Sequence, residues 1–105
     1  MAVDGPDAAT AATLDDEALA LRLKGHAFGT IAKTLGLGTS SDANHAFNRA
    51  LRRRPAEARD EIRADENQRL DRLAVAVREN ASLTEAESAK RLRTIDGLRT
   101  RLMAD

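Results

Sequence analysis

Residues 28–54, FGTIAKTLGLGTSSDANHAFNRALRRR, decide how this chain folds. Phe28, Ile31, Ala32 and Leu35 fall at helical spacing and define one face of a short helix. Gly36 follows directly and Leu37 is apolar again, which predicts a tight turn with a buried plug behind it. Gly38, Thr39, Ser40 and Ser41 are turn and cap residues. They predict a further helix starting near Asp42 and capped by Ser40 or Ser41. Ala43, Phe47, Ala50 and Leu51 form the buried face of that helix, leaving Asn44, His45, Asn48, Arg49 and Arg52 on the opposite one. Ala32 is small enough for a close helix crossing, Gly36 permits the sharp turn, and Leu37 fills the space between the helices.

On the N-terminal side, residues 1–12 lack apolar periodicity and contain Gly5-Pro6, which reads as a mobile tail. Thr13 is a plausible N-cap, with Asp16 and Glu17 in the first turn where the helix dipole favours anions. Leu14, Ala18 and Leu21 then predict a helix over about 14–24, stopped by Gly25. On the C-terminal side, Pro55 ends the helix before it and suits the first turn of the next. A long helix is expected over about 56–80, strongly charged in its first half and carrying Leu70, Leu73, Ala74 and Val77 on one stripe in its second. After Asn80-Ala81-Ser82, Thr84 and Glu87 form a capping box. It opens a last helix, to about 103, with Leu92, Ile95, Leu98 and Leu102 on one face. Gly97 inside it costs about 1 kcal/mol against Ala. The connection is short, so the last two helices should pair antiparallel. The expected organisation is all-α. A tail over 1–12 precedes a three-helix domain over 13–54, and a long antiparallel helical hairpin covers 55–105.

A chain of 105 residues implies one modest core. Without cysteine it has no disulfide framework, thiol nucleophile or Cys-ligated zinc. No apolar run approaches the roughly 20 residues of a membrane span. The acidic, Ala-rich N-terminus is unlike a signal peptide, so a cytoplasmic setting and no membrane partner are expected. Net charge is zero, but the charge is unevenly distributed. Residues 1–25 are net −3 and the remainder after residue 54 is −1. Residues 26–54 carry Lys33, Arg49, Arg52, Arg53 and Arg54 against Asp42, a net +4. A local basic patch is what phosphate contact requires, and whole-chain charge is a poor guide to it.

The string from Leu21 to Arg54 resembles the helix-turn-helix of homeodomain-like proteins. It is especially similar to small actinobacterial and actinophage proteins, several described as terminase small subunits. The resemblance runs from about Ala18 to Leu102, and its N-terminal part rests on Leu21, Gly25, Ile31-Ala32, Leu35-Gly36 and Ala50-Leu51. Further along it rests on Arg54-Pro55-Ala56-Glu57 and Arg69-Leu70-Asp71-Arg72-Leu73. It implies a sequence-selective double-stranded DNA-binding protein, of the terminase-small-subunit kind or a transcription regulator, whose third helix enters the major groove. Asn44 and Asn48 would then meet adenine edges, and Arg49 or Arg52 guanine. Thr39, Ser40 and Ser41 with the first N–H groups of that helix would hold a phosphate. Lys33, Arg53 and Arg54 would neutralise others. The turn after Gly36 is about one residue longer than the commonest spacing, so Asn44 and His45 remain alternatives as readers.

Blander readings stand beside these. Arg52–Arg54 also suit a solvated helix end, where cations complement the dipole, and His45 also suits an ordinary surface position. Phe28 and Phe47 match the core face. His26 has no second His or paired carboxylate at ligand spacing, so no metal and no cofactor is expected. Glu57, Asp60, Glu61, Asp65 and Glu66 alternate with Arg59, Arg63 and Arg69, as in ion pairs along an exposed helix. No apolar pocket, phosphate-binding glycine loop or serine nucleophile motif points to an enzyme. Leu70, Leu73, Val77, Leu92, Ile95, Leu98 and Leu102 either complete the monomer core or pack against a second copy in a homo-oligomer. The rival to DNA binding is a protein-interaction module, in which the charged hairpin docks a larger protein partner.

Overall fold

The computed structural model describes residues 8–105, which form five helices and no strand. α1 spans Ala8–Leu23, α2 Phe28–Leu35, α3 Ser40–Arg52, α4 Ala56–Glu79 and α5 Glu85–Met103. The chain divides into two units, Met1–Pro55 and Ala56–Asp105.

Of the expected tail, residues 1–7 lie outside the described residues. Ala8–Ala12 are helical, so α1 begins well before the expected start at residue 14. The run AATAAT carries no Gly or Pro, and Ala has the lowest helix cost of any residue, so no cap at Thr13 is needed. Thr13, Asp16 and Glu17 consequently sit inside the helix and not in its first turn. The buried face of α1 is Asp15, Ala18, Leu19 and Arg22, with Leu14 and Leu21 half-buried beside it. Gly25, at φ +98°, turns the chain out of α1.

α2 has the bounds expected from its apolar spacing. Gly36 takes the left-handed conformation (φ 67°) and donates its N–H to the Ala32 carbonyl. The Leu37 N–H reaches the same carbonyl at 2.9 Å, the long bond of a Schellman closure. Leu37 then packs, with Leu21, Phe28 and Leu35, against the buried cluster of Ala18, Ile31, Ala32, Ala43 and Ala46. Four of those five are alanines, which lets the helix backbones approach closely. One ring system joins all three helices. The Arg22 guanidinium of α1 lies 4.0 Å over the Phe28 ring of α2, and that ring meets Phe47 of α3 edge-on at 5.6 Å. Arg22 is buried, and Nη1 donates to the His26 carbonyl at 3.0 Å. The cation is thus held by a carbonyl and an aromatic face.

In the second unit, α4 and α5 run antiparallel. Arg63 near the start of α4 donates from Nε to the Leu102 carbonyl at 2.8 Å and from Nη2 to the Ala104 carbonyl at 3.0 Å. Further along α4, Arg99 of α5 donates to Asn67 at 2.7 Å and to Asp71 at 2.8 Å. The capping box of Thr84 and Glu87 is present as expected. Arg63, expected to pair along an exposed helix, is instead buried and satisfies the last carbonyls of α5, and Glu66 is buried as well. Of the seven apolar residues read as a self-association stripe, Leu70, Ile95 and Leu102 are already covered by the chain itself. Val77, Leu92 and Leu98 are half-buried, and Leu73 is exposed.

Candidate nucleic-acid interface

The first residues of α3 set its exposed face. Thr39 is the N-cap: its Oγ1 accepts from the Asp42 N–H at 3.1 Å, and its own N–H donates to Asp42 Oδ2 at 3.1 Å. A capping box needs an acid three residues after the cap, and Asp42 stands in that position relative to Thr39. This corrects the expected cap at Ser40 or Ser41, which are instead the first two helical residues. It also changes the expected phosphate pocket. The Thr39 hydroxyl is engaged, and a carboxylate of the protein already occupies part of the helix N-terminus.

Both α1 and α2 pack against α3. At 100° per residue, the covered positions from Ala46 through Ala50, Ala43, Phe47, Leu51 and Asn44 to Asn48 span about 200° of the helix. Asn44 and Asn48 therefore do not face outward as expected: they are 4% and 1% exposed. Asn48 Nδ2 donates to the Asn44 carbonyl at 3.1 Å and to Asn44 Oδ1 at 3.2 Å, while its own Oδ1 has no partner. Neither amide reaches a base edge from there. The remaining arc carries Ser41, His45, Arg49 and Arg52 at successive turns, bordered by Asp42 and Arg53. Lys33 is exposed on α2.

The arginines of this face are not equivalent. Arg49 donates from Nε to Asp15 Oδ2 and from Nη2 to Asp15 Oδ1, both at 3.0 Å. Arg53 reaches the same Asp15 Oδ2 at 3.4 Å, Asp16 at 3.4 Å and the Ala12 carbonyl at 3.3 Å. Arg54 lies 3.8 Å from Asp16. The Asp15 side chain is only 6% exposed, against 54% for Arg49. The hydrogen bonds that Arg49 donates to Asp15 raise its pKa. Partial burial opposes that shift, and the charges of Asp15 and Asp42 add to it. Arg49 thus stays charged, and its fork is oriented by a buried carboxylate. The +4 counted along residues 26–54 is consequently diluted in space, because two carboxylates of α1 lie against three of its arginines. Arg52, Lys33 and His45 make no ion pair among the described residues.

Sequence reasoning did not identify Asp15 and Asp16 as part of this face. A signal existed: Asp15, Ala18, Leu19 and Arg22 share one helical stripe, so a carboxylate and a guanidinium sit at core spacing. No group of three or more His, Asp or Glu able to hold a metal occurs among the described residues. No protein-family model, curated protein or solved structure matches this chain.

Proposed function

We propose that the chain is a double-stranded DNA-binding protein in which α2, the Gly36–Thr39 turn and α3 act as a helix-turn-helix. The observation that carries this reading is the stripe of Ser41, His45, Arg49 and Arg52, exposed on a helix whose other faces are held by α1 and α2. Arg52 and His45 make the first contacts with base edges or phosphates, Lys33 adds a phosphate contact from α2, and Arg49 enters pre-oriented by Asp15. The resemblance to small actinobacterial and actinophage proteins, several described as terminase small subunits, supports a role in marking DNA for packaging, and the same residues fit transcription control equally well. Both roles suit a homo-oligomer, built through Leu73 with Val77, Leu92 and Leu98, and a cytoplasmic setting. No described helix is long and apolar enough to cross a membrane.

One observation favours a protein-docking reading: Asp15 and Asp16 neutralise much of the basic face. A gel-shift titration in increasing salt separates the two. DNA binding requires duplex affinity at low salt that falls with salt and is lost in His45→Ala/Arg52→Ala. A wild-type protein that shifts no duplex at low salt leaves only the docking reading.

A further inference from the structure

The outer face of α5 carries a second cationic surface. Lys90, Arg93, Thr94, Gly97 and Arg101 line one shallow, open groove, with no carboxylate among them. They lie within one arc of the helix, away from Leu92, Ile95 and Arg99, which with α4 residues line a separate groove. Lys90 and Arg93 are exposed and make no ion pair among the described residues. Gly97 lies between them and Arg101 on this face. A Cβ built there meets Arg101 Nη1 at 3.6 Å, so the Arg101 guanidinium lies over the bare turn at Gly97, on the same face as Lys90 and Arg93. We infer that this face of α5 is a contact site for the phosphate backbone of duplex DNA, separate from α3.

The chemistry favours a polyanion. Isolated surface ion pairs between proteins contribute little, whereas cations laid along a phosphate backbone release condensed counterions and gain affinity from each contact. From Lys90 to Arg101 the helix rises about 16 Å. Over that length one strand of B-DNA carries about five phosphates. Nothing on this face reads bases, so its contribution is independent of sequence. The choice of duplex DNA among polyanions rests on the function proposed above.

The test is duplex binding by the full-length chain across a salt series, with two unrelated DNA sequences. Three variants are compared: Lys90→Ala/Arg93→Ala, Gly97→Glu, and His45→Ala/Arg52→Ala. Glu is a better helix former than Gly, so Gly97→Glu places a carboxylate among these cations without loss of the helix. The double α5 variant should lower the log–log salt slope by about 2 and weaken both DNAs equally, and Gly97→Glu should weaken both as well. If α5 variants weaken binding and the α3 variant does not, the α5 site stands and the α3 reading falls. Unchanged affinity and slope in both α5 variants, with loss in the α3 variant, overturns the α5 site alone. No duplex binding by any form overturns both. Salt-sensitive self-association that disappears in Lys90→Ala/Arg93→Ala, with DNA binding intact, also overturns it and assigns the face to a second copy of the chain.

Discussion

Arg49 and Asp15, 34 residues apart in sequence, meet through two parallel hydrogen bonds of 3.0 Å that tie α3 to α1. The carboxylate is buried and the guanidinium half-exposed, so one partner anchors while the other still faces solvent. A residue placed this way both supports the three-helix unit and presents a fixed fork outward.

The first prediction concerns that pair. A double-mutant cycle with Asp15→Asn and Arg49→Ala, read by urea denaturation, should give a coupling of about 1 kcal/mol. This allows for solvent screening of the exposed partner. Because Asp15→Asn also removes a negative charge beside Arg49 and Arg53, it should tighten binding to random duplex even as it lowers stability. Coupling indistinguishable from zero would make the contact a passive surface pair.

Asn48 supplies a second prediction. It is buried, bonds only to Asn44 and leaves its Oδ1 without a partner. Asn48→Ala should cost about 1–2 kcal/mol in stability and leave DNA affinity within about twofold of wild type, since the side chain does not reach the groove. A selective loss of DNA affinity with unchanged stability would return Asn48 to the reading face.

Two glycines should respond in opposite directions. Gly97 is inside α5, where an added Cβ meets only Arg101 Nη1, so Gly97→Ala should stabilise by about 0.5–1 kcal/mol. At Gly36 an added Cβ meets nothing, but φ is +67°. Gly36→Ala should therefore destabilise by about 1 kcal/mol through backbone conformation alone. Thermal melts of the two variants check both signs at once.

Arg63 gives the fourth. Its guanidinium satisfies the carbonyls of Leu102 and Ala104 and also meets Asp105. Arg63→Ala should cost about 2 kcal/mol. Hydrogen exchange should report the loss as fraying at the last turn of α5. Arg63→Lys should recover little, because one ammonium cannot span the same acceptors.

Much of the helix plan was legible because its signals are local. Phe28, Ile31, Ala32 and Leu35 give α2 its bounds, Gly36 its left-handed exit, and Thr84 with Glu87 the start of α5. The candidate site was less legible because its geometry is not local. A helical wheel puts Asn44 and Asn48 outward for being polar, whereas α1 and α2 together cover a wider arc of α3 than its apolar residues alone mark. The partnership of Asp15 with Arg49 and Arg53 spans more than 30 residues and leaves no trace in the spacing of residues 28–54. Arg63 reads as one more charge on a charged helix until α5 brings its C-terminal carbonyls alongside.

The most direct measurement is fluorescence anisotropy of a labelled duplex titrated with wild type and Arg52→Ala between 50 and 200 mM salt, a range set by the expected slope. Arg52 is the exposed arginine of the α3 stripe without an ion pair among the described residues. The prediction is duplex binding by wild type that weakens steeply with salt, and weaker binding by Arg52→Ala with a slope smaller by about 1. Equal binding by the two proteins, or none by wild type at the lowest salt, contradicts DNA recognition through α3.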